Sequence, residues 1–248
     1  MGHLAETIDR TRGTHPEKPF QGGRGTDSMR CIAHRGFAGL YPENTLTAVR
    51  QAAAQADMIE VDVRRCGSGE LVVFHDEAVD RLTDETGAVA DYSVEELAAM
   101  NVDGSGEGVP TLSAVLDAVP PAVGLNLELK ESGLIEDIQA AVAGTDVDVW
   151  LSSFDTDVVG TAAETTDWPV VLIVEDASEA AIERAAGIGC AGIAPHWRLI
   201  DFALIERAHR SDLSVYAWPI NDIERAESLE KMDVDGIVAE EPTACPGH

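Results

Sequence analysis

The segments Met58-Ile59-Glu60-Val61-Asp62-Val63 and Leu125-Asn126-Leu127-Glu128-Leu129-Lys130 alternate strictly between apolar and polar residues. Side chains on a β-strand point to opposite faces in turn, so Ile59, Val61 and Val63 share one face and Glu60 and Asp62 the other. In the second segment three leucines likewise stand opposite Asn126, Glu128 and Lys130. A surface strand would show such a polar face to water, but parallel strands are normally covered on both faces. From residue 30 onward short apolar runs alternate with helical stretches, the pattern of βαβ units. Strands are expected at about 30–34, 57–63, 124–129, 148–152, 170–174, 191–194, 213–217 and 235–238. Amphipathic stretches lie between them at about 45–55, 111–118, 155–164, 178–186, 200–210 and 222–230. Eight strands in 248 residues suggest one closed (β/α)8 TIM barrel, while a doubly wound open sheet fits the same alternation.

In a barrel the apolar strand faces pack on the helices and the polar faces meet the lumen, with active sites at the C-terminal strand ends. Glu60, Asp62 and Glu128 would then converge, and three carboxylates in one space repel one another unless a cation neutralises them. An all-oxygen set suits one divalent cation: Mg2+, Ca2+ or Mn2+. Lys130 is either a plain partner of these carboxylates or a phosphate ligand, and it is one of only three lysines. His34-Arg35-Gly36 follows the first strand, and His75-Asp76 follows the apolar run Leu71-Val72-Val73-Phe74. Histidine titrates near neutrality and suits acid–base work, and Arg35 offers a planar donor fork for a phosphate. A lone histidine at such a place is more often a hydrogen-bonded loop residue; the weight comes from finding both beside the carboxylate strands.

In order along the chain stand His34-Arg35-Gly36, Pro42-Glu43-Asn44-Thr45, Glu60-Val61-Asp62, Val73-Phe74-His75-Asp76, Pro110-Thr111-Leu112, Glu128-Leu129-Lys130, Ser153-Phe154 and Asp235-Gly236-Ile237-Val238. Together, from about Ile32 to Pro242, they resemble the glycerophosphodiester phosphodiesterase family. The resemblance implies metal-dependent hydrolysis of a small-molecule glycerophosphodiester to glycerol phosphate and an alcohol, with the glycerol hydroxyl attacking first to form a cyclic phosphate that water opens. It implies His34 and His75 as the acid–base pair without saying which is which. It further implies Glu60, Asp62 and Glu128 as metal ligands, and Arg35 and Lys130 as phosphate contacts. Glu43 and Asn44 would support the metal or a substrate hydroxyl, although Asn44 also reads as a plain helix N-cap. Trp218 would pack on the glycerol carbons, with core packing as its plainer role. His196-Trp197 lies at the mouth side of the sixth strand.

Residues at about 77–110 break the barrel rhythm with acidic residues, a short helix-like piece and the Gly-rich run 103–108; they read as a small insertion after the second strand, capping the mouth in family members. Residues 1–28 show no apolar periodicity and read as a flexible N-terminal extension to a phosphodiesterase domain spanning 29–248. Two departures from the family pattern stand out. Ala217-Trp218-Pro219-Ile220 carries a proline after the tryptophan, and Ala239-Glu240 replaces the commoner Thr-Asp, which bears on the last barrel helix and not on the site.

Acidic residues number 45 against 17 basic, giving a formal charge of −28. That field opposes nucleic acid and stable membrane association, while a singly charged diester can be held locally by arginine, lysine and metal. Four cysteines without a CxxC pair read as reduced thiols of a cytoplasmic protein, and a homo-oligomer is compatible with the sequence. A barrel phospholipase acting on lipids and a non-catalytic phosphate-binding barrel share much of this pattern; the first is disfavoured by the lack of a basic amphipathic segment, the second by every catalytic position being filled. High acidity with few lysines also suits concentrated salt, because screening relieves self-repulsion, with a Debye length of about 3 Å at 1 M. The melting temperature is therefore expected to rise as KCl increases from low to molar levels; a flat or falling trend in a thermal melt would remove halophilic adaptation.

Overall fold

A computed structural model describes residues 29–175 and 179–247, so the expected extension at 1–28 lies outside the described residues. The chain runs β1 (Arg30–Ala33), α1 (Leu46–Ala52), β2 (Met58–Arg65), β3 (Leu71–Val73), α2 (Val94–Ala99), α3 (Leu112–Ala118), β4 (Gly124–Leu129), α4 (Ile135–Val142), β5 (Val149–Ser153), α5 (Thr156–Thr165), β6 (Val170–Val174), α6 (Glu179–Ile188), β7 (Gly192–Pro195), α7 (Phe202–Arg210), β8 (Ser214–Ile220), α8 (Ile223–Glu230) and β9 (Gly236–Ala239). Strands β1, β2 and β4 to β9 are parallel neighbours in ring order, and β1 pairs with both β2 and β9, which closes the barrel. The open-sheet alternative is thereby excluded. No described helix is long and apolar enough to cross a membrane.

Alternation along the strands produces two apolar layers. Ile59, Val61, Val63, Leu125, Leu127 and Leu129 face the helices in the outer core, each leaving water for about 1.5–3 kcal/mol of stabilisation. Ile32, Met58, Trp150, Val171, Ile173, Ala194, Tyr216 and Val238 fill the lumen. On β2 the inward residues are Met58, Glu60 and Asp62 in succession, so an apolar floor gives way to carboxylates toward the C-terminal strand ends.

Helix starts follow their caps. Thr45, Thr111, Asp155, Asp201 and Asp222 each accept from a backbone N–H in the first turn of α1, α3, α5, α7 and α8, satisfying a donor the helix leaves unpaired. Helix α4 has Leu134 at its N-cap with no side-chain bond, and the sequence reading omits it for want of that signal. Its buried Ile135, Ile138 and Val142 carry the helical spacing that marks it.

The stretch after β2 holds more structure than a loop. Strand β3 pairs antiparallel with the end of β2, placing Val73 beside Val63. Beyond it, Val72, Phe74, Val79, Leu82, Val89, Leu97, Val102 and Val109 form a separate apolar cluster with Cys66. Helix α2 is set by a full capping box between Ser93 and Glu96. After β9 the described chain makes only a 3-10 turn, Pro242–Ala244.

The reading of four reduced thiols is corrected here. Cys31 and Cys245 form a disulfide across 214 residues of sequence with Cα atoms 5.6 Å apart, whereas Cys66 and Cys190 are free and buried. Spacing cannot reveal this pair, because only closure of β1 against β9 brings the first strand beside the chain that follows the last. A cross-link over so long a loop is expected to contribute about 2–4 kcal/mol, chiefly by restricting the unfolded chain. Cys245→Ser, or reduction of the wild type, should therefore lower the melting temperature by about 5–10 °C; identical melts with and without reductant would show that the bond carries no stability.

Candidate active site

Glu60 and Asp62 on β2 and Glu128 on β4 meet because Asp62 and Glu128 are register partners across parallel strands, as are Glu60 and Asn126. All three are buried, and a ligand oxygen from each lies within 4.8 Å of the others. The positive charges around them come from two loops. Arg35 Nε stands 3.2 Å from Asp62 Oδ2, and Lys130 Nζ stands 2.9 Å from Asp62 Oδ1 and also donates to Glu128. Asn44 donates to Asp62 Oδ2 at 2.7 Å and accepts from the Asp62 backbone N–H at 3.3 Å. Asn44 is thus not the helix cap; that place belongs to Thr45.

The first βα loop reaches this geometry through left-handed backbone. Arg35, Phe37 and Asn44 have φ of 49°, 68° and 60°, a region non-glycine residues seldom occupy outside functional or tightly determined sites. This conformation accompanies the hydrogen bond from the Arg35 backbone N–H to Glu60 Oε2 at 2.9 Å. Gly36 has a φ of 78°, and a Cβ there would meet Ala48 of α1 at 2.8 Å, so only glycine lets the His-Arg-Gly loop lie on the helix.

The carboxylates differ sharply in protonation. Burial and the neighbouring Asp62 push Glu60 up to about 8, and the same two causes raise Glu128. Burial opposes the Asp62 charge as well, but Lys130 and Arg35 hold that group down at about 2. Glu60 Oε1 is buried without a hydrogen-bond partner among the described residues. An orphaned oxygen beside two further carboxylates fits a hard cation, which would take the place of the proton on Glu60.

Two imidazoles open onto the same space with opposite surroundings. His34 Nδ1 bonds Glu240 Oε1 at 2.7 Å, leaving Nε2 toward the site, 3.9 Å from Glu60 Oε2. Burial works against the His34 charge, yet the Glu240 hydrogen bond and the Glu60 field outweigh it, so its pKa lies above the ordinary histidine value. His75 Nδ1 bonds Asp76 Oδ1 at 2.6 Å. Burial lowers its pKa below the ordinary value, with Lys130 and Arg35 adding to that and Asp62 opposing.

These groups line one side of a cavity of about 490 Å³ at the C-terminal strand ends. His34, Arg35, Glu60, His75, Glu128, Lys130 and Trp218 reach it, while Asp62 and Asn44 lie behind that wall, buried. Glu43 stands back as well, bonded to Arg35 at 3.0 Å and to both terminal nitrogens of Arg81 at 2.7 and 2.9 Å. His196 packs edge-on against Trp218, with ring centroids 5.4 Å apart.

Residues 34–244 match the model of the glycerophosphoryl diester phosphodiesterase family. The chain belongs to that family. A glycerophosphodiester phosphodiesterase of Caldanaerobacter subterraneus subsp. tengcongensis is 30% identical over 230 residues, spanning 85% of this chain and 93% of the relative. A provisionally named glycerophosphodiester phosphodiesterase of Bacillus subtilis (strain 168) is 31% identical over 232 residues, 86% and 95% of the two chains. Among solved structures, an Oleispira antarctica phosphodiesterase in complex with the product sn-glycerol-3-phosphate superposes with a TM-score of 0.81 at 28% identity, covering 86% of this chain and 94% of that one. Membership makes this protein a hydrolase.

In this family member two site residues escape the sequence reading. Glu240, treated there as a departure without bearing on the site, is the carboxylate that holds His34. It follows the last strand, one residue beyond the pairing Ala33 to Ala239, so barrel closure alone brings it to His34. Arg81 sits on the insertion and bridges Asp76, the partner of His75, to Glu43, the partner of Arg35. Its signal was positional, a basic residue shortly after His75-Asp76 in an otherwise acidic stretch. Glu240→Ala removes both the hydrogen bond and the carboxylate charge that help to raise His34. Its pH–rate profile should lose its alkaline limb at lower pH than the wild type, with turnover at pH 8 down by about 10-fold or more and the acid limb unmoved. An unaltered alkaline limb would show that Glu240 does not tune this imidazole.

Proposed function

We propose that this protein hydrolyses glycerophosphodiesters to glycerol phosphate and an alcohol, using His34 and His75 as acid and base beside a divalent cation. The observation carrying this reading is the convergence of two oppositely tuned imidazoles, Arg35, Lys130, Glu60 and Glu128 on one cavity, with the third buried carboxylate, Asp62, directly behind its wall. Glu60, Asp62 and Glu128 would hold the cation, Mg2+, Ca2+ or Mn2+. When bound there it supplies Lewis acidity toward a phosphoryl oxygen. The guanidinium of Arg35 and the ammonium of Lys130 hold the phosphate and offset charge that grows on its oxygens.

His75, lowered in pKa, is neutral at working pH and takes the proton of the attacking hydroxyl at Nε2, while Asp76 at Nδ1 fixes the tautomer. His34, raised in pKa, keeps its proton and delivers it from Nε2 to the departing oxygen. Attack by the neighbouring glycerol hydroxyl would leave a cyclic phosphate. The same two imidazoles, with roles exchanged, would activate the water that opens it. Asn44 and Glu43 act behind the wall: the first holds Asp62, the second steadies Arg35. Trp218 forms an aromatic wall of the substrate cavity.

The cation should bind in exchange for the Glu60 proton. Since Glu60 ionises at about 8 without it, affinity should fall as pH drops below that value, and titration calorimetry in buffers of different ionisation enthalpy should register proton release. Chelation should abolish turnover, and Glu60→Gln or Glu128→Gln should cost several kcal/mol of transition-state stabilisation. Full activity in excess chelator would end the metal reading.

The rate should describe a bell against pH. It is lost on the acid side as His75 gains its proton, below the usual histidine value, and on the alkaline side as His34 loses its own, above that value. Either histidine replaced by alanine should slow a natural-type diester by about 10²-fold or more. On a nitrophenyl diester, whose leaving group departs without a proton, only His34→Ala should be rescued. Rescue of His75→Ala instead would reverse the assignment, and near-normal rates for both mutants would remove the two-histidine mechanism.

A further inference from the structure

His75, the base in the reading above, is not carried by a strand of the ring. It lies just past Val73, where β3 ends, and β3 stands outside the ring, paired antiparallel to the last residues of β2. The Nδ1 partner of His75, Asp76, belongs to the same bend, and Arg81, which holds Asp76, belongs to the stretch that follows. These bonds orient the imidazole within its own segment. They do not fix that segment relative to the three carboxylates, which stand on β2 and β4. Proton transfer needs heavy atoms about 2.6–3.2 Å apart, so a base on a side branch of the barrel requires a tie to the barrel itself.

The bend is tied to β2 by its backbone and by a side chain. The Phe74 backbone N–H donates to the Asp62 carbonyl at 2.9 Å. Arg64 takes the next position after Asp62 on the same face of β2. Its guanidinium donates twice to the His75 carbonyl, from Nε at 3.0 Å and from Nη2 at 2.9 Å. A planar fork that gives both bonds to one oxygen fixes direction as well as distance. The other duty open to Arg64, an ion pair with Glu131, is loose: the atoms stand 3.8 Å apart and the Glu131 side chain is 39% exposed, so water screens the pair. Arg64 is largely buried and does not line the cavity, so it acts on the reaction through His75 and not by contact with substrate. We infer that Arg64 is a positioning residue for His75, anchoring the backbone of the base to the strand that carries Glu60 and Asp62.

The consequence falls on turnover and not on binding. Arg35 and Lys130, the phosphate contacts, are held by Glu43, Asp62 and Glu128 without Arg64. Burial, Asp62, Lys130 and Arg35 govern the His75 pKa, and Arg64 is not among these causes. Loss of the fork should therefore misplace the base without changing its protonation or the grip on phosphate.

The inference rests on the two-histidine reading, and steady-state kinetics of the full chain with a saturating divalent cation keeps the two apart. Arg64→Met removes both bonds and keeps an unbranched stem. Its kcat should fall by about 10-fold or more, because small displacements of a reacting group are costly. KM should stay within about 2-fold of the wild-type value. The loss should be equal on natural-type and nitrophenyl diesters, since the attacking hydroxyl needs a base in both. Arg64→Lys, which keeps the charge and can offer a single bond, should recover part of the rate. In a His75→Ala background Arg64→Met should cost nothing further, because the base that it positions is gone. A normal kcat, a raised KM with kcat intact, or an equal loss with and without His75 would overturn the inference and leave the diesterase reading standing. Should Arg64→Met fail to fold, Arg64→Lys carries the same comparison, with a partial loss of kcat that must vanish in the absence of His75. Full activity of His75→Ala would overturn the two-histidine reading and this inference with it.

Discussion

Everything at the mouth of this barrel is arranged around three carboxylates that strand pairing forces together. Asp62 and Glu128 face each other because β2 and β4 run parallel in that register, and Glu60 lies one inward position below Asp62. Bare, such a group is strongly disfavoured by burial and mutual repulsion. The molecule relieves it unevenly: Lys130, Arg35 and Asn44 all converge on Asp62, while Glu60 keeps an oxygen without a partner among the described residues. One carboxylate is thus locked as an anion, and another keeps its proton to an unusually high pH.

That asymmetry extends to the histidines. Each imidazole is clamped at Nδ1 by a carboxylate, yet their pKa values move in opposite directions because their surroundings differ. His34 sees Glu60 and Glu240, whereas His75 sees the cations Lys130 and Arg35 alongside Asp62. Separating two like groups by environment makes a pair of identical side chains hold and release protons over different pH ranges. Arg81, carried on the stretch between β3 and α2, ties the partners of His75 and Arg35 together, so that stretch contributes to the site and has its own apolar cluster to hold it in place.

The alternation of Glu60, Asp62, Glu128 and Lys130 with apolar residues was readable as a buried polar face, and eight of the strands with six of the helices were readable from apolar runs and caps. Four features were not. Helix α4 lacks the capping side chain that opens α1, α3, α5, α7 and α8. Strand β3 is too short to stand out, and its pairing to β2 is a tertiary event. The Cys31–Cys245 bond and the Glu240–His34 contact both join the two ends of the described domain, separated by 214 and 206 residues.

By itself the sequence determined which side chains face inward, because strand periodicity is local, and which chemistry those residue types can perform. It also determined where the helices with capping residues begin. Only the tertiary structure decided how the ring closes, and closure brings the residues after β9 back to β1. It therefore decided that Glu240 bonds His34, that two cysteines from opposite ends of the described domain are bonded, and that an aromatic wall stands across the cavity from the histidines and carboxylates. Each of these depends on distances between remote strands, which no local pattern encodes.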